Sequence, residues 1–506
     1  MTNTPIRNLV IIGGGTAGWL AAAMFSKWFN KSALNITLVE SDTIGAVGVG
    51  EATVPSIRKI VSFLGINEAE FISKTSATFK LAIQFDGWSK EGEAFFHPFA
   101  GHGEAVADIP FYDCWTHMRR QNRAEPLDAY CTPAALSAAN KFASPPPGAS
   151  GLSKFNYAYH FDAHLVARVF REYAEANGVR RREGVVVNVD QDGETGAVRA
   201  VELDGGDRVE GEFFVDCSGF RSLLIEGALE AGFEDWSHWL PCDRAVAAPT
   251  PKIAPFPSYT KSKALAVGWR WRIPLQHRTG NGYVYSSAFI SDDDARDVFL
   301  KELGEAPADE PRLIKFRTGM RQRIWVKNVY AVGLSSGFLE PLESTSIYAI
   351  QSAITRLYKN FPCKEENPVQ IDHVNKVARK EQEHLRDFII LHYWGNGRRG
   401  EKFWDACRTM SLPDSLKTFI ETWRHTATVP LGEQEFFRES SWASIFGGLG
   451  IIPERYHPAA QHIGDDKIAS AFKEYADYVS AAAAQAPIHN AFLEGPAKAP
   501  SKSGIA

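Results

Sequence analysis

At 506 residues the chain is long enough for about two to four structural units around a large core. Its content is 44% hydrophobic and 23% charged, as in ordinary soluble globular proteins, and a net charge of −5 argues against the basic face that a nucleic-acid partner requires. No stretch approaches about 18 uninterrupted apolar residues, so no membrane span is expected. The six cysteines are scattered, without a C-x-x-C pair or clustered histidines. That argues against a metal site and against a disulfide framework, and a cytoplasmic setting is expected.

Asn8-Leu-Val-Ile-Ile12 predicts a buried parallel strand, Ala17 to Phe29 the following helix and Asn35 to Val39 a second strand. The first apolar run follows Arg7 as in a signal peptide, but Gly13, Gly14, Gly15 and Gly18 interrupt it. Residues 91–150 read as an irregular, proline-rich insertion covering the site. A helix is expected over 161–177, and strands over 183–189, 197–203, 212–217, 264–273, 282–289 and 328–334. Another helix is expected from about residue 346. Beyond about residue 360 helical periodicity takes over, with many rings (Trp394, Trp404, Trp423 and Trp442 among them). The 13 Trp and 32 Phe are many for this length; most belong in cores, and a minority are available to line an aromatic pocket.

Gly13-Gly-Gly15-Thr16-Ala17-Gly18 lies between the first strand and helix and fits G-x-G-x-x-G. The first glycine permits the tight turn, the second lets the backbone approach a pyrophosphate, and the third allows close helix packing. The amides of the helix N-terminus then face the phosphates. Glu40 ends the second strand, where an acid accepts ribose hydroxyls. Val215-Asp-Cys-Ser-Gly219 and Asn328-Val-Tyr-Ala-Val-Gly-Leu334 are two late strand-to-turn segments of the kind that frame the far half of FAD. No second glycine fingerprint occurs, so no nicotinamide domain is visible, and a separate flavin reductase is expected to deliver FADH2 by diffusion. The expected fold class is therefore α/β. A Rossmann-like, flavin-monooxygenase-type mixed α/β FAD domain is expected over 1–360, with the 91–150 insertion inside it. A mainly helical substrate-side subdomain follows over 361–480, and a disordered tail over 481–506.

Four motifs together resemble the flavin-dependent tryptophan halogenase family. They are Gly13–Gly18, Gly48-Val-Gly-Glu51-Ala52-Thr53-Val-Pro55, Trp269-Arg-Trp271-Arg-Ile273-Pro274 and Phe338-Leu-Glu-Pro-Leu-Glu343-Ser344-Thr345. W-x-W-x-I-P is specific to that family, whereas the glycine fingerprint is shared with many unrelated folds. The resemblance implies that reduced FAD, O2 and halide (chloride or bromide) generate hypohalous acid by way of a flavin hydroperoxide. The oxidant then passes internally to a separate site for an electron-rich aromatic ring. A single-component flavin-dependent hydroxylase is the alternative reading of the same fold.

By resemblance Lys80, in Thr78-Phe-Lys-Leu-Ala-Ile83, holds hypohalous acid or becomes a haloamine, and Glu343 stabilises the cationic ring and takes its proton. Periodicity alone says less. Phe79, Leu81, Ile83 and Phe85 alternate onto one face, and a lysine on the opposite face is ordinarily a solvated strand residue. Glu343 likewise suits a helix N-terminus for purely structural reasons. The resemblance places a halide on the backbone amides of Thr345 and Ser346. Ser346 stands where many relatives carry glycine, so a positive φ there would strain it. Ala52, Leu334 and Ile347 match flavin-contacting positions, and Val187 is a candidate for the adenine side. His97 and Phe99 resemble the pair that sandwiches an indole, with Trp442 as a further wall. Trp269, Trp271 and Ile273 form an aromatic face that, by resemblance, keeps substrate from the flavin. Phe436 and Phe437 stand where tyrosines would give polar contacts, which favours an indole or other unclamped aromatic over free tryptophan. A homodimer is compatible with this reading.

Overall fold

The computed structural model describes residues 4–44, 50–432 and 435–494. The chain folds into two compact units, each assembled from three separate segments. One comprises Met1–Ala77, Phe161–His238 and Phe316–Gln382; the other comprises Thr78–His160, Trp239–Lys315 and Glu383–Ala506. The expected contiguous division near residue 360 gives way to this interleaving, because strands distant in sequence complete each sheet.

The first unit is the nucleotide-binding architecture the βαβ pattern predicts. Its six-stranded sheet has Asn8–Ile12 at its centre, flanked by Phe213–Asp216 and Asn35–Glu40, with Val329–Ala331 and Arg180–Glu183 beyond them in parallel. Trp325–Val326 closes one edge antiparallel. Near-continuous apolar runs build the central strands because both of their faces are covered. Helices Thr16–Trp28, Ala163–Ala176 and Ser346–Lys359 belong to the same unit. Asp162 caps the second of these through the amides of His164 and Leu165.

The second unit is built on a seven-stranded, largely antiparallel sheet, in the order Arg312–Lys315, Arg244–Pro251, Arg278–Tyr285, Trp269–Pro274, Tyr259–Ala264, Ala82–Asp86 and Ala94–Pro98. Trp269, Trp271 and Ile273 are buried on one face of their strand while Arg270 and Arg272 lie on the other, as alternation requires. The single strand expected over 264–273 is the hairpin Tyr259–Ala264 and Trp269–Pro274. Gly268, at φ 79°, turns the chain and its carbonyl accepts from Leu265.

Residues 91–150 are not an irregular insertion. They contain the strand Ala94–Pro98, the helices Phe111–Arg120 and Thr132–Ala138 and a 3-10 turn at Leu127–Tyr130. Prolines that read as breakers sit at first helical turns, where no backbone N–H is missed: Pro133 opens Thr132–Ala138 and Pro110 precedes Phe111. Helicity beyond 360 appears as expected, from Pro368–Trp394 to Asp465–Gln485. The tail expected to be disordered from 481 instead begins within helix Asp465–Gln485 and continues through His489–Glu494, and residues beyond 494 lie outside the described residues. None of the described helices is long and apolar enough to cross a membrane.

Candidate active site

In the first unit the glycine turn is shaped by what surrounds it. Gly13 sits at φ 111°, and a Cβ there would run into the carbonyl of Cys217. A Cβ at Gly18 would strike the carbonyl of Gly13, so the helix approaches the turn with no room for a side chain. At Gly15, the N-cap of helix Thr16–Trp28, a Cβ would meet nothing within 4 Å. The cradle is therefore tight where the strand and helix meet it and open where a pyrophosphate would lie, and no side chain caps the first-turn amides at Thr16, Ala17 and Gly18.

Glu40 lies over this turn. One carboxylate oxygen accepts from Arg181 at 2.6 Å and from Arg171 at 3.4 Å, and the other accepts from the Trp19 indole at 3.2 Å. These partners fix the carboxylate beside Gly14 and leave lone pairs for hydroxyls. Asp216, ending the neighbouring strand, is fully buried and accepts from the amides of Ser218, Leu224 and Ile225, each at 2.9 Å. The main chain of Val332 bonds Asp216, and Gly333 packs against Ala17. Leu334 follows in the 3-10 turn Gly333–Ser335. Ala52 is buried, and the adjacent Glu51 carboxyl is pushed up to about 7 by burial. Gly48 and Val49 lie outside the described residues. Val187 stands 62% exposed on the small sheet formed with Val198–Leu203.

Glu343 is 1% exposed at the end of the 3-10 turn Pro341–Glu343. The residue in the left-handed region is Ser344, at φ 60° and ψ 31°, not Ser346. Ser346 opens helix Ser346–Lys359 with Thr345 as N-cap, so the expected strain at Ser346 is absent. The amides of Thr345 and Ser346 have no hydrogen-bond partner among the described residues and stand at the positive end of a 14-residue helix, which suits an anion. Ile347 is buried in the same first turn.

In the second unit Lys80 ends the strand Thr78–Lys80 and is 0% exposed. Alternation failed to show this because both faces of residues 78–83 are covered. Its ammonium lies 5.1 Å from the centroid of the Phe99 ring. Phe99 is placed by its amide bond to Leu81, and His97 by pairing opposite Ile83. The buried His97 ring faces Phe388 at 5.6 Å and Phe437 at 6.1 Å. Phe437 stacks on Phe388 at 3.7 Å, and Trp442 meets Phe388 edge-on at 4.9 Å. His97, Phe99, Lys80 and Trp442 are thus brought into one aromatic neighbourhood, in which the Trp442 Nε1–H has no acceptor among the described residues.

Around these groups the structure gathers buried imidazoles that periodicity did not reveal. Thr78 donates its hydroxyl to the Pro274 carbonyl at 2.7 Å, so it must accept from His160 Nδ1 at 3.0 Å. His160 Nε2 then accepts from Thr260 at 2.9 Å, and the ring is neutral. Burial, then the Lys80 charge and then His489 hold its pKa well below the usual value. His102 bonds Tyr112 at 3.0 Å, and its pKa is pushed down to about 3 by burial and by His97. A lone histidine in an apolar segment is the only sequence signal for either.

The sequence profile of the tryptophan halogenase family matches residues 8–465. The chain belongs to that family. It is 36% identical over 479 residues to the tryptophan 6-halogenase SttH of Streptomyces toxytricini, covering 89% of this chain and 91% of the relative. It is 35% identical over 498 residues to the tryptophan 7-halogenase RebH of Lentzea aerocolonigenes, covering 90% and 92%. Among solved structures, BrvH, a flavin-dependent halogenase from Brevundimonas sp. BAL3, superposes with a TM-score of 0.93 at 43% identity, covering 97% of this chain and 99% of BrvH. This protein is accordingly a flavin-dependent halogenase that uses FADH2, O2 and halide, and the hydroxylase reading is not favoured.

Proposed function

We propose that this halogenase installs halogen on an electron-rich aromatic such as indole or a tryptophan derivative, with Lys80 delivering the oxidant and Glu343 receiving the proton. Reduced FAD, held at Gly13–Gly18 and Glu40, supplies with O2 and halide the hypohalous acid. Thr345 and Ser346 offer their amides to the halide. Lys80 donates a hydrogen bond to the oxygen of the acid, which makes the halogen more electrophilic. A ring carbon attacks the halogen as the halogen–oxygen bond breaks, the Lys80 ammonium protonates the departing oxygen to give water, and the ring proton passes to the Glu343 carboxylate, so that one proton remains to be returned to the Lys80 amine. His97, Phe99 and Trp442 hold the ring by its faces without presenting an oxidisable oxygen.

The observation that carries this reading is the full burial of the Lys80 ammonium beside Phe99. A lysine is rarely withdrawn from water without a task or a partner. Phe437, stacked on Phe388, offers an amino acid's ammonium and carboxylate nothing to bond, which favours an unclamped ring over free tryptophan. The absence of a second glycine fingerprint supports a separate reductase as the electron source. The test supplies a flavin reductase, NADH, FAD, bromide and a panel of indoles, with products identified by mass spectrometry. Wild type should brominate indoles better than free tryptophan, and Lys80→Ala should oxidise reduced flavin yet lose nearly all brominated product. Full bromination by that variant would refute the role of Lys80.

A further inference from the structure

The strand that ends in Lys80 is held on its open side by the C-terminal segment of the chain. The amide of Phe79, the residue immediately before Lys80, donates to His489 Nε2 at 3.1 Å. A ring nitrogen that accepts from an amide carries no proton, so His489 is neutral with its hydrogen on Nδ1. That Nδ1 has no hydrogen-bond partner among the described residues, so the Phe79 amide is the one group the ring bonds. His489 is fully buried, and its ring packs against Phe79 at 6.0 Å, Phe142 at 5.7 Å and Phe256 at 6.3 Å.

His489 is itself tied down on both sides. Its amide donates to Asn140 at 3.1 Å, Ile488 bridges Lys141, and the Asn490 side chain accepts from the Phe256 amide at 2.6 Å. Lys141 donates to the last-turn carbonyls of Ala483 and Ala484 at 2.9 and 2.8 Å, which fixes where the preceding helix stops. On the far side of Lys80, the amide of Leu81 donates to Ser258 at 2.7 Å, in the segment that also contains Phe256. The amides of the residues on either side of Lys80 are thus bonded to one cluster, and the C-terminal segment closes it.

We propose that His489 is a positioning residue for Lys80, its imidazole acting as the acceptor that sets the backbone from which the amine is aimed. The inference rests on the reading of Lys80 as the group that delivers the oxidant. His489 touches neither substrate nor oxidant. It acts by denying the Phe79 amide any alternative partner, because an unpaired buried N–H would rotate or draw in water and carry the neighbouring side chain with it. Displacement by about 1 Å is enough to cost such a delivery step up to about 10²-fold.

The test compares His489→Leu, which removes the acceptor at similar volume, with His489→Gln, which returns one. Both are assayed in the full-length protein with FADH2, bromide and indole. Two quantities are read: brominated indole formed per FADH2 oxidised, and hypobromous acid escaping to monochlorodimedone. His489→Leu should lose roughly tenfold or more in brominated indole per flavin while escaped oxidant rises, and His489→Gln should recover most of that loss. A merely structural role would lower both quantities together. If His489→Leu does not fold, Asn490→Ala, which loosens the same segment at Phe256, should shift the ratio in the same direction. An unchanged ratio in the folded variant, or no recovery with glutamine, overturns the proposal. Lys80→Ala run beside them separates the two readings. If it loses product while His489→Leu does not, only the positioning role fails; if it keeps product, the Lys80 reading fails.

Discussion

The glycine turn of the first unit and the aromatic neighbourhood of the second are made of different material. At residues 13–18 the working groups are main-chain amides, and side chains are excluded by contact with Cys217 and with Gly13 itself. Around Lys80 the backbone is committed to strands, and the working groups are ionisable side chains withdrawn from water. A site of the first kind should be intolerant of one added carbon and indifferent to charge. One of the second kind should tolerate changes of shape and be acutely sensitive to which atoms carry protons.

Substitutions that delete one functional group test the contrast most severely. Lys80→Ala should cost about 10²–10⁴-fold in halogenated product, the range expected for a positioned proton-handling group, while FADH2 oxidation persists. Glu343→Gln keeps the shape of the buried side chain and removes its basicity; turnover should fall by about 10²-fold with FAD affinity unchanged by titration. Equal loss of flavin binding in either variant would erase the distinction between the two sites.

Gly13→Ala tests the other half. Its φ of 111° and the Cys217 carbonyl both oppose a methyl group, so a loss of about 1–3 kcal/mol in stability is expected, with weakened FAD binding. Denaturant unfolding and flavin titration measure both. Unchanged behaviour in the alanine variant would mean that the turn has more room than the contacts imply.

Acid reads the second site through its neutral imidazoles. Burial pushes His489 down to about 4, below the ~6.5 of an unfolded histidine. The unfolded chain therefore binds that proton first as pH falls. The His489 contribution is complete above about 6.5 and is lost progressively toward about 4. The half-buried Glu51 and Asp128, whose carboxyls are both pushed up to about 7 by loss of solvation, act in the opposite sense over the same range. The diagnostic quantity is therefore a difference. The gap in Tm between wild type and His489→Gln should shrink as pH falls from 7 to about 4.5. A gap independent of pH would contradict the neutral, accepting imidazole.

The smallest effect lies at the helix start beside Glu343. Ser344→Gly should stabilise by about 0.5 kcal/mol, because glycine occupies the left-handed region without penalty. Ser346→Gly should change halide affinity less than about twofold, since Ser346 already has helical geometry and its amide is open. A large gain in halide affinity from Ser346→Gly would restore the importance of glycine at that position.

Local physics made the first site legible. A tight turn, a close helix approach and an acid at the end of the next strand each demand a particular residue at a particular spacing, so Gly13, Gly15, Gly18 and Glu40 could be named from the sequence. The motifs around Trp269 and Glu343 were legible through their resemblance to the family, since each occupies one continuous strand or helix start. Burial is not local. Whether Lys80 faced water depended on what covered the second face of its strand, and alternation along residues 79–85 argued for exposure. The partners that surround it come from residues 97–112, 158–160, 256–260 and 384–442, and the acceptor that fixes its backbone is residue 489. Only the folded chain could bring these together, because hydrogen bonds between buried groups are chosen by proximity in space and no spacing along the sequence encodes them.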